Sequence, residues 1–185
     1  MKHPFTWLSE SAHKPAFWSL FVFTIIIIVV MLVLGGPLNI EPDLCGIVSF
    51  EFAGDLAVAQ EMIESWGQRG EVFAGLSLGF DYVFIAAYAL TIGLGCVLVA
   101  RNLSDRVKAL SSVGVVLAWA MFLAALLDAQ ENYALIRVLL GSGNELWPVV
   151  AKWCAGPKFI IVALGLLYVI IGAIIGVIAR GERRT

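Results

Sequence analysis

Residues 126–137, LLDAQENYALIR, place several ionisable and amide side chains inside an otherwise apolar stretch. Asp128, Glu131 and Asn132 are spaced i, i+3 and i+4, so a helix would carry them on one face. Carboxyl and amide groups grouped in this way suit proton movement, cation binding or recognition of a polar headgroup. Arg137, further along the same stretch, is predicted to lie at the outer surface instead.

Two other apolar stretches carry an ionisable residue at a similar depth. Asp81, Asp128 and Lys158 lie 20, 20 and 22 residues from the nearest basic group at the predicted cytoplasmic ends of their helices. A helix rises 1.5 Å per residue, so all three groups are expected about 30 Å from that level. A charge facing lipid is costly, which favours an inward orientation and pairing with Lys158.

The candidate site therefore has more acids than bases. Because the carboxyl groups outnumber Lys158, at least one of them is expected to hold or share a proton. Two interpretations remain open: a polar network that locks the helices together, and a binding or catalytic site. The predicted site residues are Asp81, Asp128, Glu131, Asn132 and Lys158, with hydroxyl groups from Tyr82, Tyr88 and Tyr133.

The elements that must position these residues follow from composition. Of the 185 residues, 61% are hydrophobic and only 14% are charged, which indicates a chain surrounded by lipid. Four stretches are long and apolar enough to cross a bilayer, at 16–35, 72–100, 110–140 and 159–179. They predict an all-α fold, an up-down bundle of four transmembrane helices. Residues 1–15 and 180–185 form the tails, 16–179 form one domain, and 36–71 cap its outer face.

Basic residues predict the orientation of the bundle. The two tails and the second connection are rich in lysine and arginine, whereas the first connection is acidic. Basic connections stay in the cytoplasm, so both termini are predicted to be cytoplasmic and the acidic segment to face outward. No basic stripe with interleaved aromatic residues occurs, which argues against nucleic acid as a partner.

The first connection carries local structure of its own. GIVSFEF, residues 46–52, is rich in β-branched and aromatic residues and predicts a short strand or extended segment. Residues 55–67 predict an amphipathic helix that begins at Asp55 and ends at Gly67. This amphipathic helix either shields the ends of the transmembrane helices or covers a ligand pocket.

Pro157 is predicted to break or start the fourth helix, leaving 147–156 as an interfacial segment.

Cysteine and histidine restrict the chemistry. Cys45 and Cys154 both fall on the predicted outer side, where a disulfide between them would hold the connection over the site. His3 and His13 lie in the cytoplasmic tail, away from the site, so a histidine-based zinc or haem centre is not expected. No metal and no cofactor are predicted, although a hard cation held by carboxylates stays open.

Several short motifs resemble a known family. FEFAG (50–54), GFDYVFIAAY (79–88), LDAQEN (127–132) and PKF (157–159) are similar to a family of small, functionally uncharacterised bacterial membrane proteins with four helices. The resemblance covers most of the chain after the first helix. It implies a bacterial inner (plasma) membrane location and brings no activity, cofactor or catalytic residue with it.

The residues favour a non-enzymatic, multi-pass membrane protein with an outward-facing polar site. Such a site would bind a small polar or amphiphilic ligand or a lipid headgroup, or support a complex with a membrane protein partner. One alternative is an intramembrane enzyme that acts on a lipid, with a carboxylate as general base. Another is a component of a proton or cation pathway.

Overall fold

The structure is a computed structural model that describes residues 2–39, 46–103 and 108–181, with side chains as far as residue 176. Within these ranges the chain is helical and has no β-strand, which confirms the all-α fold class. Short 3-10 turns at Glu10–Ala12 and Gly36–Leu38 flank the first helix. The α-helices are α1 (His13–Gly35), α2 (Ile47–Glu51), α3 (Leu56–Leu103), α4 (Lys108–Leu139) and α5 (Leu146–Gly181).

Four of the described helical stretches are long and apolar enough to cross a membrane. They are Glu10–Leu38, Leu56–Leu103, Lys108–Leu139 and Leu146–Gly176. The chain is accordingly a membrane protein. In the most apolar 18-residue window of α3, 72% of the residues are buried, compared with 11% in that of the first span. Much of α3 is therefore covered by other parts of the protein, whereas most of α1 is not.

The segment that precedes the second span is helical, as predicted. Asp55 caps its start, because Oδ1 accepts hydrogen bonds from the backbone N–H groups of Ala57 at 2.8 Å and Val58 at 3.2 Å. Gly67 has φ 62° and ψ 179°, a conformation that interrupts the helix. This backbone region is accessible essentially to glycine alone. α3 therefore consists of two helical stretches, 56–66 and 68–103.

The strand predicted for residues 46–52 is wrong, because Ile47–Glu51 forms the short helix α2. The apolar run gave no clear period, and tertiary packing decides such cases. Phe50 is only 1% exposed, and its ring meets that of Trp66 edge-on at 5.2 Å. The short helix α2 therefore places the Phe50 side chain against Trp66.

The predicted break at Pro157 is also wrong. α5 continues through Pro157 from Leu146 to Gly181, so residues 147–156 belong to the helix and are not a separate segment. Proline removes one backbone hydrogen bond from a helix. Helices in membranes tolerate this loss, because neighbouring groups and local adjustment satisfy the freed carbonyl.

By its contacts the described chain divides into two compact units, each drawing on several helices. The first unit comprises the described parts of Met1–Phe23, Ala87–Ala124 and Phe159–Thr185. Within it the Tyr168 hydroxyl donates to the Leu110 carbonyl at 2.9 Å, and Arg101 forms an ion pair with Glu10 at 2.6 Å. These contacts tie α5 to α4 and α3 to the segment before α1.

The second unit comprises the described parts of Thr24–Ala86 and Ala125–Lys158. Its apolar core joins α2 and both stretches of α3 to α4 and α5. The buried members of this core are Leu38, Phe50, Ala59, Trp66, Ala74, Leu78, Ala134, Leu135, Val138 and Ala151. Ala59 and Trp66 come from the predicted apolar stripe of residues 55–67, which confirms that this helix is amphipathic.

Gly67→Ala is predicted to destabilise the protein by about 1–3 kcal/mol, because a Cβ strains the backbone at this φ and ψ. The loss would appear as a lower midpoint in thermal or detergent unfolding. Gly79→Ala is the matched control, since Gly79 lies in the helical part of α3 with open space around it. Equal stability of the two variants would contradict the assignment of a strained break at Gly67.

Candidate functional site

The centre of the site is the ammonium group of Lys158 on α5. Its Nζ donates hydrogen bonds to Asp128 Oδ1 at 2.7 Å and to Glu131 Oε1 at 2.8 Å. Glu51 Oε2, on α2, lies 3.5 Å from the same nitrogen. Lys158 is only 5% exposed, so three helices of the second unit meet around one buried positive charge.

Both hydrogen-bonded carboxyl groups are as deeply buried as the lysine. Asp128 is 4% exposed and Glu131 is fully buried. They lie one helical turn apart on α4, so both reach the same ammonium group. Removing such charges from water costs several kcal/mol each, and close pairing with good hydrogen-bond geometry is what offsets this cost.

Glu51, Asp128 and Glu131 converge on the same ammonium group, so three carboxyl groups share one positive charge. Like charges held this close disfavour each other's ionised form. Burial raises the pKa of Glu51 above its ordinary value, and the nearby charge of Asp128 acts in the same direction. The positive charge of Lys158 opposes this shift. Two buried oxygens, Glu51 Oε2 and Glu131 Oε2, accept no conventional hydrogen bond.

A second polar pair lies between α3 and α4. Asn132 Nδ2 donates to Asp81 Oδ2 at 2.6 Å and also lies 3.5 Å from the Leu78 carbonyl oxygen. Asn132 is 1% exposed, whereas Asp81 is half-buried. Since Asn132 follows Glu131 in the chain, α4 carries both pairs. We call these six residues the polar cluster: Glu51, Asp81, Asp128, Glu131, Asn132 and Lys158.

A small cavity adjoins the polar cluster. Its volume is about 20 Å³, and Glu51, Ser77, Asp81 and Asn132 supply its polar wall. Met31, Ile47 and Leu78 supply the apolar wall. A cavity of this size holds about one water molecule. The hydroxyl of Ser77, a residue only 1% exposed, has no hydrogen-bond partner.

The predicted tyrosines do not join the polar cluster. Tyr82 is 39% exposed and its hydroxyl donates to the Ala129 carbonyl at 3.2 Å. Tyr133 is exposed and packs edge-on against Trp147 at 5.6 Å. Tyr88 is buried, but it belongs to the first unit. Among the predicted site residues, the structure thus brings together the three acids, Asn132 and Lys158.

Arg137 is exposed, as predicted, and takes no part in the polar cluster. Its guanidinium group lies 5.5 Å from the ring centre of Trp147, a cation–π contact.

The predicted disulfide involves Cys45, which lies outside the described residues. Its predicted partner, Cys154, is half-buried in α5. The cysteine pairing therefore stays a prediction.

Sequence reasoning missed Glu51. Glu51 stands between Phe50 and Phe52 in an apolar run of the first connection, and a lone acid in such a run was the available signal. Ser77 shares a helix face with Asp81, four residues away, but a serine in an apolar helix usually satisfies itself on its own backbone. Its place in the cavity wall became evident only from the packing of α2 and α4 around it.

Comparison of this chain with protein-family models, with curated proteins and with solved structures finds no match.

Lys158→Met is predicted to destabilise the protein by about 3–5 kcal/mol, because it leaves buried carboxyl groups without their positive partner. Lys152→Met is the matched control: Lys152 lies on the same helix, is exposed and makes no ion pair with the polar cluster in the described residues. Chemical or detergent unfolding of the two purified variants measures the difference. If they unfold alike, Lys158 does not hold the site together.

Stability is predicted to fall as pH rises above the ordinary pKa range of glutamate. A carboxyl group whose pKa is raised on folding stabilises the folded state at low pH, and this contribution is lost as pH rises through the raised value. Glu51→Gln should flatten this dependence, measured as the unfolding temperature over a pH series. Glu61→Gln, at an exposed position of α3, should keep the wild-type slope. A wild-type slope in Glu51→Gln would contradict the assignment.

Proposed function

We propose that this chain is an integral membrane protein without catalytic activity, whose polar cluster binds a small, positively charged ligand. The observation that carries the proposal is the imbalance of charge in a buried site. Glu51, Asp81, Asp128 and Glu131 bring four carboxyl groups, and within the described residues the ion pairs of these acids are those of Glu51, Asp128 and Glu131 with Lys158. Acidic groups therefore outnumber the base in the site.

Buried negative charge favours a positive ligand. An unpaired carboxylate in a medium of low dielectric constant is costly, so the site either takes up protons or binds a cation. A ligand that satisfies Asp81 and Glu51 would relieve this cost without displacing Lys158. The unfavourable free energy of the buried carboxylates in the unliganded site therefore favours the binding of a cation.

Size restricts the ligand. The cavity beside the polar cluster is about 20 Å³, which corresponds to about one water molecule. A lipid headgroup or another amphiphile would fit only if α2 moved away from α3. A small inorganic or organic cation therefore agrees better with the geometry than an intact headgroup, and a role in supporting a membrane complex would need no cavity at all.

The arrangement in the membrane belongs to the same proposal. The helices would form an up-down bundle in a bacterial inner membrane, with both termini in the cytoplasm and residues 36–71 as an outward cap. The asymmetry of charge supports it, since the tails and the second connection are basic and the first connection is acidic. The polar cluster would then lie near the outward end of the spans. Membrane lipids would be the surrounding partners.

The enzymatic alternative receives less support from the geometry. A general base must reach the proton it removes from a substrate. Asp128 and Glu131 are buried and already accept hydrogen bonds from Lys158, and Glu51 is paired with the same ammonium group at 3.5 Å. A lipid substrate would have to break these contacts before any proton transfer.

The binding proposal is tested by thermal unfolding of the purified protein in detergent. Sodium, potassium and ammonium chlorides are compared at equal ionic strength with choline chloride, whose cation is too large for the cavity. At least one small cation should raise the unfolding temperature by a few degrees, because a ligand that binds the folded state stabilises it. Asp81→Asn should abolish this effect.

Asp55→Asn is the control for a generic loss of charge, since asparagine also caps a helix well. This variant should respond to cations like the wild type. If the wild type unfolds at the same temperature in every cation as in choline, the proposed binding function is wrong.

A further inference from the structure

We propose that the cavity between α2, α3 and α4 binds one monovalent cation of the size of sodium. Oxygen atoms of Glu51, Ser77, Asp81 and Asn132 would be its ligands. This inference rests on the proposed function and names the ligand of the same site. It is carried by an unpartnered hydroxyl group, by the donor set and by the size of the cavity.

Ser77 is the first observation. In helices surrounded by lipid, serine and threonine usually donate to the carbonyl oxygen four residues earlier. Thr91 does so to Ala87 at 2.7 Å, and Ser112 does so to Lys108 at 3.2 Å. Ser77 is 1% exposed, yet its Oγ has no partner and belongs to a residue of the cavity wall. A buried hydroxyl without a partner is costly, and a ligand in the cavity would satisfy it.

The chemistry of the donors is the second observation. Asn132 commits its amide nitrogen to Asp81, which leaves its carbonyl oxygen for another contact. Glu51 Oε2 lies 3.5 Å from Lys158 Nζ but accepts no hydrogen bond. The polar wall thus offers oxygen atoms from two carboxyl groups, an amide and a hydroxyl. Hard cations prefer oxygen ligands of these types.

Charge and size select a monovalent ion. Calcium takes six to eight oxygen ligands, and magnesium needs octahedral geometry and usually keeps several waters. A cavity of about 20 Å³ has no room for such waters. Within the described residues no group of three or more acidic, histidine or cysteine side chains is placed to hold a metal ion, and this cavity offers two carboxyl groups together with neutral oxygen atoms, a set that suits a single charge. A dehydrated sodium ion is smaller than a water molecule and needs less charge around it.

A bound cation would join the two polar pairs. Asp81 and Asn132 form one hydrogen-bonded pair, and Glu51 belongs to the group around Lys158. An ion held by Glu51 and Asp81 together would link α2 directly to α3. Lys158 already neutralises the Asp128 side of the cluster, so the second positive charge belongs on the Asp81 side.

The test is the dependence of thermal unfolding on sodium chloride, with choline chloride keeping the ionic strength constant. In the wild type the unfolding temperature should rise with sodium in the manner of a single binding site. Ser77→Ala should fold, because it removes a hydroxyl that has no partner in the protein. This variant should bind sodium at least about tenfold more weakly, since it loses one ligand to a charged group.

Ser112→Ala is the matched control, because Ser112 is exposed and bonds to its own helix. Its response to sodium should equal that of the wild type. If Ser77→Ala does not fold, Ser77→Cys carries the same prediction, because a thiol is a soft, poor ligand for sodium.

Three results would overturn the inference. Equal unfolding temperatures of the wild type in sodium and choline would do so, as would an unchanged sodium response in Ser77→Ala or its cysteine substitute. Stabilisation by potassium or ammonium, but not by sodium, would reject the sodium site and leave the proposed binding function standing. The absence of any cation effect would reject both.

Discussion

The second unit depends on the burial of one ammonium group. Lys158 is almost completely buried. Its charge is stabilised there because Asp128 and Glu131 from α4 and Glu51 from α2 surround the ammonium group. Each of these acids would be equally unfavourable alone in a non-polar interior. The arrangement is therefore mutual: neither the lysine nor the acids can be buried unless the helices are in register. The apolar core around Phe50 and Trp66 then holds α2 in the position that this pairing needs.

Much of this arrangement could be predicted from the sequence, because the residue number within a helix determines the position along its axis. A rise of 1.5 Å per residue predicts that Asp81, Asp128 and Lys158 lie at one depth, and helical spacing predicts that Asp128, Glu131 and Asn132 share a face. The observed contacts Lys158–Asp128 and Asn132–Asp81 agree with both expectations in geometry.

The secondary structure of the connection between the first two spans was predicted less accurately, because tertiary packing determines it. Residues 46–52 have the composition of a strand, yet Phe50 gains its buried contact only through a helical turn. Glu51 reaches Lys158 through that same turn, so the error in secondary structure hid a member of the site. By contrast, Asp55 and Gly67 carry local signals, a capping oxygen and a special backbone conformation, and both were read correctly. Pro157 misled because a lipid-embedded helix can absorb a missing hydrogen bond.

The break in α3 at Gly67 has a consequence for how this protein tolerates insertions and deletions. A continuous helix transmits a rotation of about 100° for every residue added or removed, since one turn takes 3.6 residues. Gly67 uncouples the two stretches of α3, so the angular phase of residues 56–66 is independent of that of residues 68–103. A change in chain length at this joint would leave Ser77 and Asp81 aimed as before. The same change a few residues later, inside the continuous helix, would swing both side chains out of the polar interior.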